Sequence, residues 1–580
     1  MAMNTTFFFA TSCPWQSGEY NRPTTKRTVI ARNTRMNATK ESCIINALTS
    51  IKHRTPNTEH RTSMSNRLAV TTSLCFLLFP LVALADVSLP SVFSEHMVLQ
   101  RKQPIQVWGW ASPGEGVKVK LGESSAVTTT GKDGRWQLKL PPMDAGGPLQ
   151  LTVQAADGPA VVVDDVYVGE VWLCSGQSNM AMNVSRARQA DVETAAANHP
   201  QIRMFKVASA PNTEPQEKCQ GSWSVCSPET VGRFSATAYF FGRKLHRELN
   251  VPVGLINSSV GGTSIESWTS MAAQSKVATI EPRLDAWREQ DAAFDAKRAT
   301  AQYEKAVARW EVQRKKALAD GKRAPRKPRE ASQPRLDRNY PSNLFNGMIH
   351  PIVGYTIRGT IWYQGENASG RGFAQLYQAQ LTTLIRDWRH RWGQGDFPFA
   401  WVQLPNFRAA QTEPSETTGW VLVQEGMLKT LSEPYTGMAV TIDIGEVNDI
   451  HPKNKQDVGS RLAAWALADV YDRRGLAMGP IAFETIFAEG RAVVKFVHAA
   501  GLNAAGKPIE GFALAGEDRV FHWAEARLDG DVVVVSCKQV SKPVAVRYAW
   551  AQNPKCNLRN GAGIPASPFR SDDWDESQNQ

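Results

Sequence analysis

Four short polar clusters in this chain of 580 residues bring together the residue types that acyl transfer needs. Ser175-Gly176-Gln177-Ser178-Asn179-Met180 follows the apolar run VYVGEVWLC. A Ser in a tight turn after a buried strand exposes its Oγ, and the backbone N–H groups beside it can face a developing oxyanion. The turn lacks Gly-x-Ser-x-Gly spacing, and a Ser there also suits a helix N-cap. VGLINSSV ends at Gly261-Gly262-Thr263, where backbone amides can approach a ligand closely and where a plain turn would look the same. GTIWYQ ends at Gln364-Gly365-Glu366-Asn367, groups suited to an oxyanion, to sugar hydroxyls or to loop hydrogen bonding. AVTIDIG leads to Asn448-Asp449-Ile450-His451-Pro452, and of the eight histidines beyond residue 85 only His451 follows a strand end with an acid beside it. That is the setting of a general base. A Ser nucleophile, a His base and an oxyanion site together describe acyl transfer.

These clusters need a scaffold that gathers strand ends on one rim. Between 166 and 475 strand-like runs alternate with helix-like ones, whose apolar positions repeat at helical spacing, as at Leu462, Trp465, Ala466 and Val470. Such alternation predicts an α/β domain, a mainly parallel sheet covered by helices, with its active residues beyond the carboxyl ends of the strands. Residues 86–165 are short alternating runs separated by turns, the pattern of an N-terminal β-sandwich. Residues 274–338 read as an inserted, charged helical excursion with a basic, Pro-rich tip, a pattern that can bind an anionic polymer but is more often a solvated face. From 476 to 580 strand patterns return as a C-terminal β-rich module, and no internal repeat suggests a solenoid.

The composition, 42% hydrophobic and 21% charged, excludes a wholly disordered, collagen-like or polytopic membrane protein. The net charge of +11 is concentrated at one end: residues 1–85 carry +7 and the remaining 495 only +4. A nucleic-acid partner, which requires a concentrated basic patch, is therefore not expected. Within that end, Arg67 precedes an apolar run from Leu74 to Leu84 that is broken by Pro80 and closed by Ala83-Leu84-Ala85. This reads as a signal peptide over 64–85, too short to span a membrane, so a secreted or periplasmic protein without a membrane partner is expected. Met64 opens that signal, and residues 1–63 are expected to be a non-native or disordered leader upstream of the true start. Five cysteines follow residue 85, with Cys219–Cys226 and Cys537–Cys556 the plausible disulfides and Cys174 left over. No Cys or His cluster shows zinc spacing, so neither metal nor cofactor is expected.

Gly-Gln-Ser-Asn-Met at 176–180, GGTSIESW at 261–268, WYQGEN at 362–367 and DIHPKNKQDVGSRLA at 449–463 resemble the sialate O-acetylesterase family of the SGNH hydrolases. The likeness extends over nearly all of 87–575 outside the 274–338 insertion. It implies a flavodoxin-like three-layer domain flanked by β-sandwich modules, and metal-free removal of acetyl groups from O-acetylated sialic acid or related sugars. Carried over, Ser178 is the nucleophile and His451 the base. Gly261 or Gly262 supplies an oxyanion N–H with that of Ser178, while Gln364, Glu366 and Asn367 serve the oxyanion or the substrate. Two positions depart from the superfamily pattern. Gln364 stands where an Asn is usual, and Asn448 occupies the place of the usual Asp, leaving Asp449, Glu366 or a backbone carbonyl to orient His451. An acetylxylan-type esterase and a non-catalytic carbohydrate-binding protein are the alternatives; a pure binding module needs neither Ser178 nor His451.

Overall fold

The strand Val161–Gly176 (β1) joins the two halves of one large sheet. Residues 4–6, 86–155, 158–370 and 372–575 are described in this computed structural model. The expected signal peptide at 64–85 and all of the 1–63 leader except Asn4–Thr6 lie outside them. Among the described residues, no helix is long and apolar enough to cross a membrane.

Seven strands make the central sheet: β1, His199–Val207 (β2), Gly221–Cys226 (β3), Val253–Ser259 (β4), Gly359–Tyr363 (β5), Phe399–Val402 (β6) and Thr436–Ala439 (β7). Their order is β3-β2-β4-β1-β5-β6-β7, and every neighbouring pair is parallel except β3 with β2. With the β2–β3 hairpin set aside, the five remaining parallel strands run in the 2-1-3-4-5 order of doubly wound flavodoxin-like sheets.

Four helices cover this sheet: Ala236–Leu249 (α2), Tyr377–Trp392 (α3), Gly419–Lys429 (α4) and Lys455–Trp465 (α5), with the one-turn helix Ser178–Ala181 (α1) at the end of β1. Trp172 of β1 packs on Phe241 of α2 and Trp465 of α5, whereas Trp362 of β5 packs on Trp388 of α3. Trp362 pairs in register with Ser175, three residues from Trp172 on β1. Side chains alternate along a strand, so the two tryptophans face opposite sides. α2 packs with α5 and α3 with α4, which gives a helix–sheet–helix sandwich.

β1 shows its double role in its burial. Its first eight residues alternate between exposed and buried, and its last eight are all buried. The first half pairs with the antiparallel strand Gly146–Ala155, which continues to Gly116–Leu121 and Ser124–Thr129; Ile105–Trp110 and Arg135–Leu140 form a separate two-stranded sheet. The N-terminal strands are thus continuous with the central sheet, and β1 runs through the place where the sequence suggests a module boundary. It bends at Asp165 (φ +54°), whose carboxylate is ion-paired with Arg203. Just beyond, the fully buried Glu170 accepts from Arg101 at 2.6 Å, Arg358 at 2.8 Å and the Tyr471 hydroxyl at 3.0 Å. Desolvation works against its charge, but the two guanidiniums hold its carboxyl below the usual range.

The C-terminal residues form two antiparallel sheets. One contains Ile481–Ala488, Arg491–Val497, Glu525–Asp529 and Val532–Ser536, with Asn4–Thr6 on its edge; the other contains Phe512–Ala515, Phe521–Trp523, Ala545–Tyr548 and Phe569–Arg570. Within 274–338, the helix Glu281–Ala292 is fixed by the buried Glu266, which accepts from Arg283 and Trp287. The following helix, Ala296–Ala319, buries no residue.

The expected disulfides are not formed: Cys174, Cys219, Cys226, Cys537 and Cys556 are all free thiols. The extended strand Gly221–Cys226 separates Cys219 from Cys226 by roughly 20 Å at ~3.3 Å per residue, far beyond the ~7 Å Cα limit of a disulfide. The thiol of Cys537 faces Gln539 Oε1 at 3.0 Å instead.

Candidate active site

The ends of β4, β1 and β5 lie side by side, with β1 between its two parallel neighbours. This is where the strand order reverses, the position at which doubly wound sheets bind ligands. Gly176 makes the turn out of β1 with φ +137°, and a Cβ there would fall 2.1 Å from Tyr363 O. No side chain fits, so the turn closes tightly on the end of β5, and Gln177 N–H donates to Tyr363 O at 2.9 Å. Ser178 follows as the first residue of α1, half-buried. The N-cap is Gln177, so Ser178 does not serve as the helix cap. On its other side the Cβ position of Gly261 is 3.3 Å from Ser178 Cβ, and Gly262 has φ +72°. The loop that follows β4 therefore lays Gly261 beside the Ser.

His451 and Asp449 stand together on the loop after β7. Asp449 Oδ1 is 3.2 Å from His451 Nδ1 and accepts the His451 backbone N–H at 2.9 Å. That backbone bond is the main cause that lowers the Asp449 pKa, with the His451 charge adding to it. Asn448 is exposed.

A buried network missed by the sequence analysis joins this loop to the Ser turn. Asn179, fully buried, donates through Nδ2 to Glu366 Oε1 and to Ile450 O, the latter at 3.0 Å. Its Oδ1 accepts from Lys455 Nζ at 2.6 Å. One side chain thus ties the residue after Ser178 to the residue before His451. Burial raises the Glu366 pKa, opposed by the Asn179 bond and the nearby Lys455 and His451 charges, and its Oε2 has no hydrogen-bond partner. Burial lowers the Lys455 pKa to about 7, against the pull of Glu366, Glu446 and Asp449. One signal was legible. Lys455 opens a helix, where the macrodipole disfavours a cation, and such a residue needs a local reason.

The remaining candidates divide. The Gln364 amide donates to Gln177 Oε1 at 3.3 Å and Thr263 O at 3.1 Å, and its oxygen accepts from the Tyr377 hydroxyl at 2.8 Å. Both N–H groups are engaged, so Gln364 knits the three strand ends together and offers no N–H to a ligand. Asn367 donates to Gly262 O at 3.2 Å and keeps a buried, unpartnered Oδ1. Among the described residues, no group of three His, Cys, Asp or Glu side chains is placed to hold a metal ion.

The family model described as carbohydrate esterase, sialic acid-specific acetylesterase matches residues 168–319 and 338–467, leaving only 320–337 of the insertion outside it. The chain is 28% identical to mouse sialate O-acetylesterase over 523 residues, covering 83% of this chain and 93% of that protein. It is also 28% identical to the human sialate O-acetylesterase over 549 residues, 85% of this chain and 95% of that protein. The crystal structure of a carbohydrate acetylesterase from Xanthomonas citri aligns with a TM-score of 0.70 at 36% identity, covering 84% of this chain and all of that one. The chain belongs to the sialic acid-specific acetylesterase family of carbohydrate esterases and is a carbohydrate O-acetylesterase.

Proposed function

We propose that Ser178 and His451 perform this hydrolysis through an acetyl-enzyme on O-acetylated sialic acid or a closely related sugar. The observation that carries the reading is the position of Asn179, which bonds the Ser turn to the His451 loop through Ile450 O. Asp449 engages Nδ1 of His451, which leaves Nε2 to take the Ser178 hydroxyl proton. Ser178 Oγ then adds to the acetyl carbonyl. The oxyanion is received by the backbone N–H of Ser178, which has no carbonyl partner at the start of a helix, and by an N–H of Gly261 or Gly262. Collapse expels the sugar alkoxide, which takes the proton from His451. Water, deprotonated by His451, adds to the acetyl-enzyme, and acetate leaves as Ser178 recovers its proton. The matched relatives named for sialate esters support the substrate.

Export follows from the leader pattern, and a mature N-terminus at Asp86, read by mass spectrometry of the secreted protein, is its test. The substrate is tested by measuring acetate release from O-acetylated sialic acids, acetylated xylan and other acetylated glycans. Release from sialate esters at the highest kcat/KM supports the reading; a preference for xylan refutes it.

A further inference from the structure

We propose that Arg338 receives the carboxylate of an acidic sugar and thereby sets the preference of this esterase for O-acetylated sialic acids over uncharged acetylated sugars. The inference rests on the sialate reading above and names the group that would enforce it. Arg338 Nη2 is 3.4 Å from the Cβ position of Gly262, whose neighbour Gly261 abuts Ser178. The guanidinium therefore borders the reaction centre from the side of β4, although the chain reaches it only after the whole 274–338 excursion.

Its backbone is held while its side chain is free. Asn339 Oδ1 accepts the Ser264 N–H at 2.9 Å, and Asn339 O accepts the Ser264 hydroxyl at 3.1 Å. Asn343 donates to Arg335 O and Asp337 O, each at 2.8 Å. The segment is thus pinned to the loop that follows Gly262. Arg338 itself is exposed, and among the described residues its guanidinium makes no hydrogen bond or ion pair. Other arginines of this domain are neutralised: Arg283 by Glu266, Arg243 by Glu193, Arg461 by Asp443. Arg186 acts instead on Asp449 and Lys455, on the His451 side.

A planar guanidinium presents a fork of N–H donors that matches a carboxylate bidentately. The sialic acids carry such a carboxylate on the same sugar as the acetyl ester. An uncharged acetylated sugar offers the fork only hydroxyls, and the charge-assisted contact is lost.

The test compares kcat/KM for acetate release from an O-acetylated sialic acid and from its carboxamide analogue, in wild type, Arg338→Ala and Arg338→Lys. Wild type is expected to prefer the acid by roughly tenfold or more, the worth of a charge-assisted hydrogen-bonded pair. Arg338→Ala is expected to bring that ratio close to one, mainly through KM, and Arg338→Lys to lie between. Arg338→Ala keeping the wild-type ratio would overturn the proposal, as would equal losses on both compounds. Wild type that cleaves acetylated neutral sugars but neither sialate would overturn the sialate reading itself, and Arg338's role with it.

Discussion

At the residue scale the open question is which acid serves His451. Asp449 contacts the imidazole directly but is partly exposed, whereas Glu366 is buried and reaches the loop only through Asn179. Replacing Asp449 with Asn keeps an oxygen but removes the charge, and solvent at this position softens the loss. We expect Asp449→Asn to lower kcat by about 10- to 100-fold, with KM little changed. Glu366→Gln is expected to lower thermal stability as well as kcat, because Lys455 loses a buried counter-charge. Steady-state kinetics beside thermal melts check both, and a near-wild-type Asp449→Asn would remove Asp449 from the mechanism.

Lys455 makes a separate prediction about pH. Its amine falls to about 7 in the fold from an ordinary 10.5. Between those values the unfolded chain binds a proton that the folded chain lacks, so stability contributed at this site rises with pH across that window. Urea denaturation of wild type and Lys455→Met at pH 7 and pH 10 should show wild type gaining on the variant at the higher pH. An unchanged difference would mean that the amine titrates normally. Ser178 and His451 were legible because each sits in a short polar cluster after an apolar run. Asn179 and Lys455 were not, because their roles rest on partners 187 and 276 positions away in the chain.

At the scale of elements, the strand-to-helix turns were legible and the extent of β1 was not. The sequence places a module boundary after residue 165; in the fold Asp165 is a bend within one strand, since it takes a left-handed conformation and its charge is met by Arg203. The helix α5 was legible from the spacing of its apolar residues Leu462 and Trp465. The turn at Gly176 gives the sharpest test. An Ala there meets both the positive φ and the Tyr363 carbonyl, and we expect Gly176→Ala to cost about 2–5 kcal/mol. Urea midpoints measure this, and a loss below about 0.5 kcal/mol would show that the turn relaxes easily.

Across the whole molecule, Glu170 ties strands that are distant in sequence. Arg101 comes from the N-terminal strands and Arg358 from the entrance to β5. Removing the carboxylate leaves two guanidiniums half-buried without their partner, and Glu170→Ala should destabilise the fold by about 3–5 kcal/mol, with Glu170→Gln milder. Equal melting of Glu170→Ala and wild type would contradict this. The sequence showed β-rich segments on both sides of the α/β domain, but not that the N-terminal strands share its sheet, because pairing between strands leaves no mark in local alternation. It also suggested the disulfides Cys219–Cys226 and Cys537–Cys556; all four thiols are free, and the extended strand between Cys219 and Cys226 rules out the first pair.

The central claim, that Ser178 and His451 form one hydrolytic unit acting on O-acetylated sialic acid, is tested most directly by acetate release from that substrate. The measurement compares wild type, Ser178→Ala, His451→Ala and the double variant, each shown by its melting curve to be folded. Each single change is expected to lower kcat by roughly 10³-fold or more, and the double variant to be little worse than either, because members of one catalytic unit fail together. Acetate release by Ser178→Ala at the wild-type rate would contradict the claim.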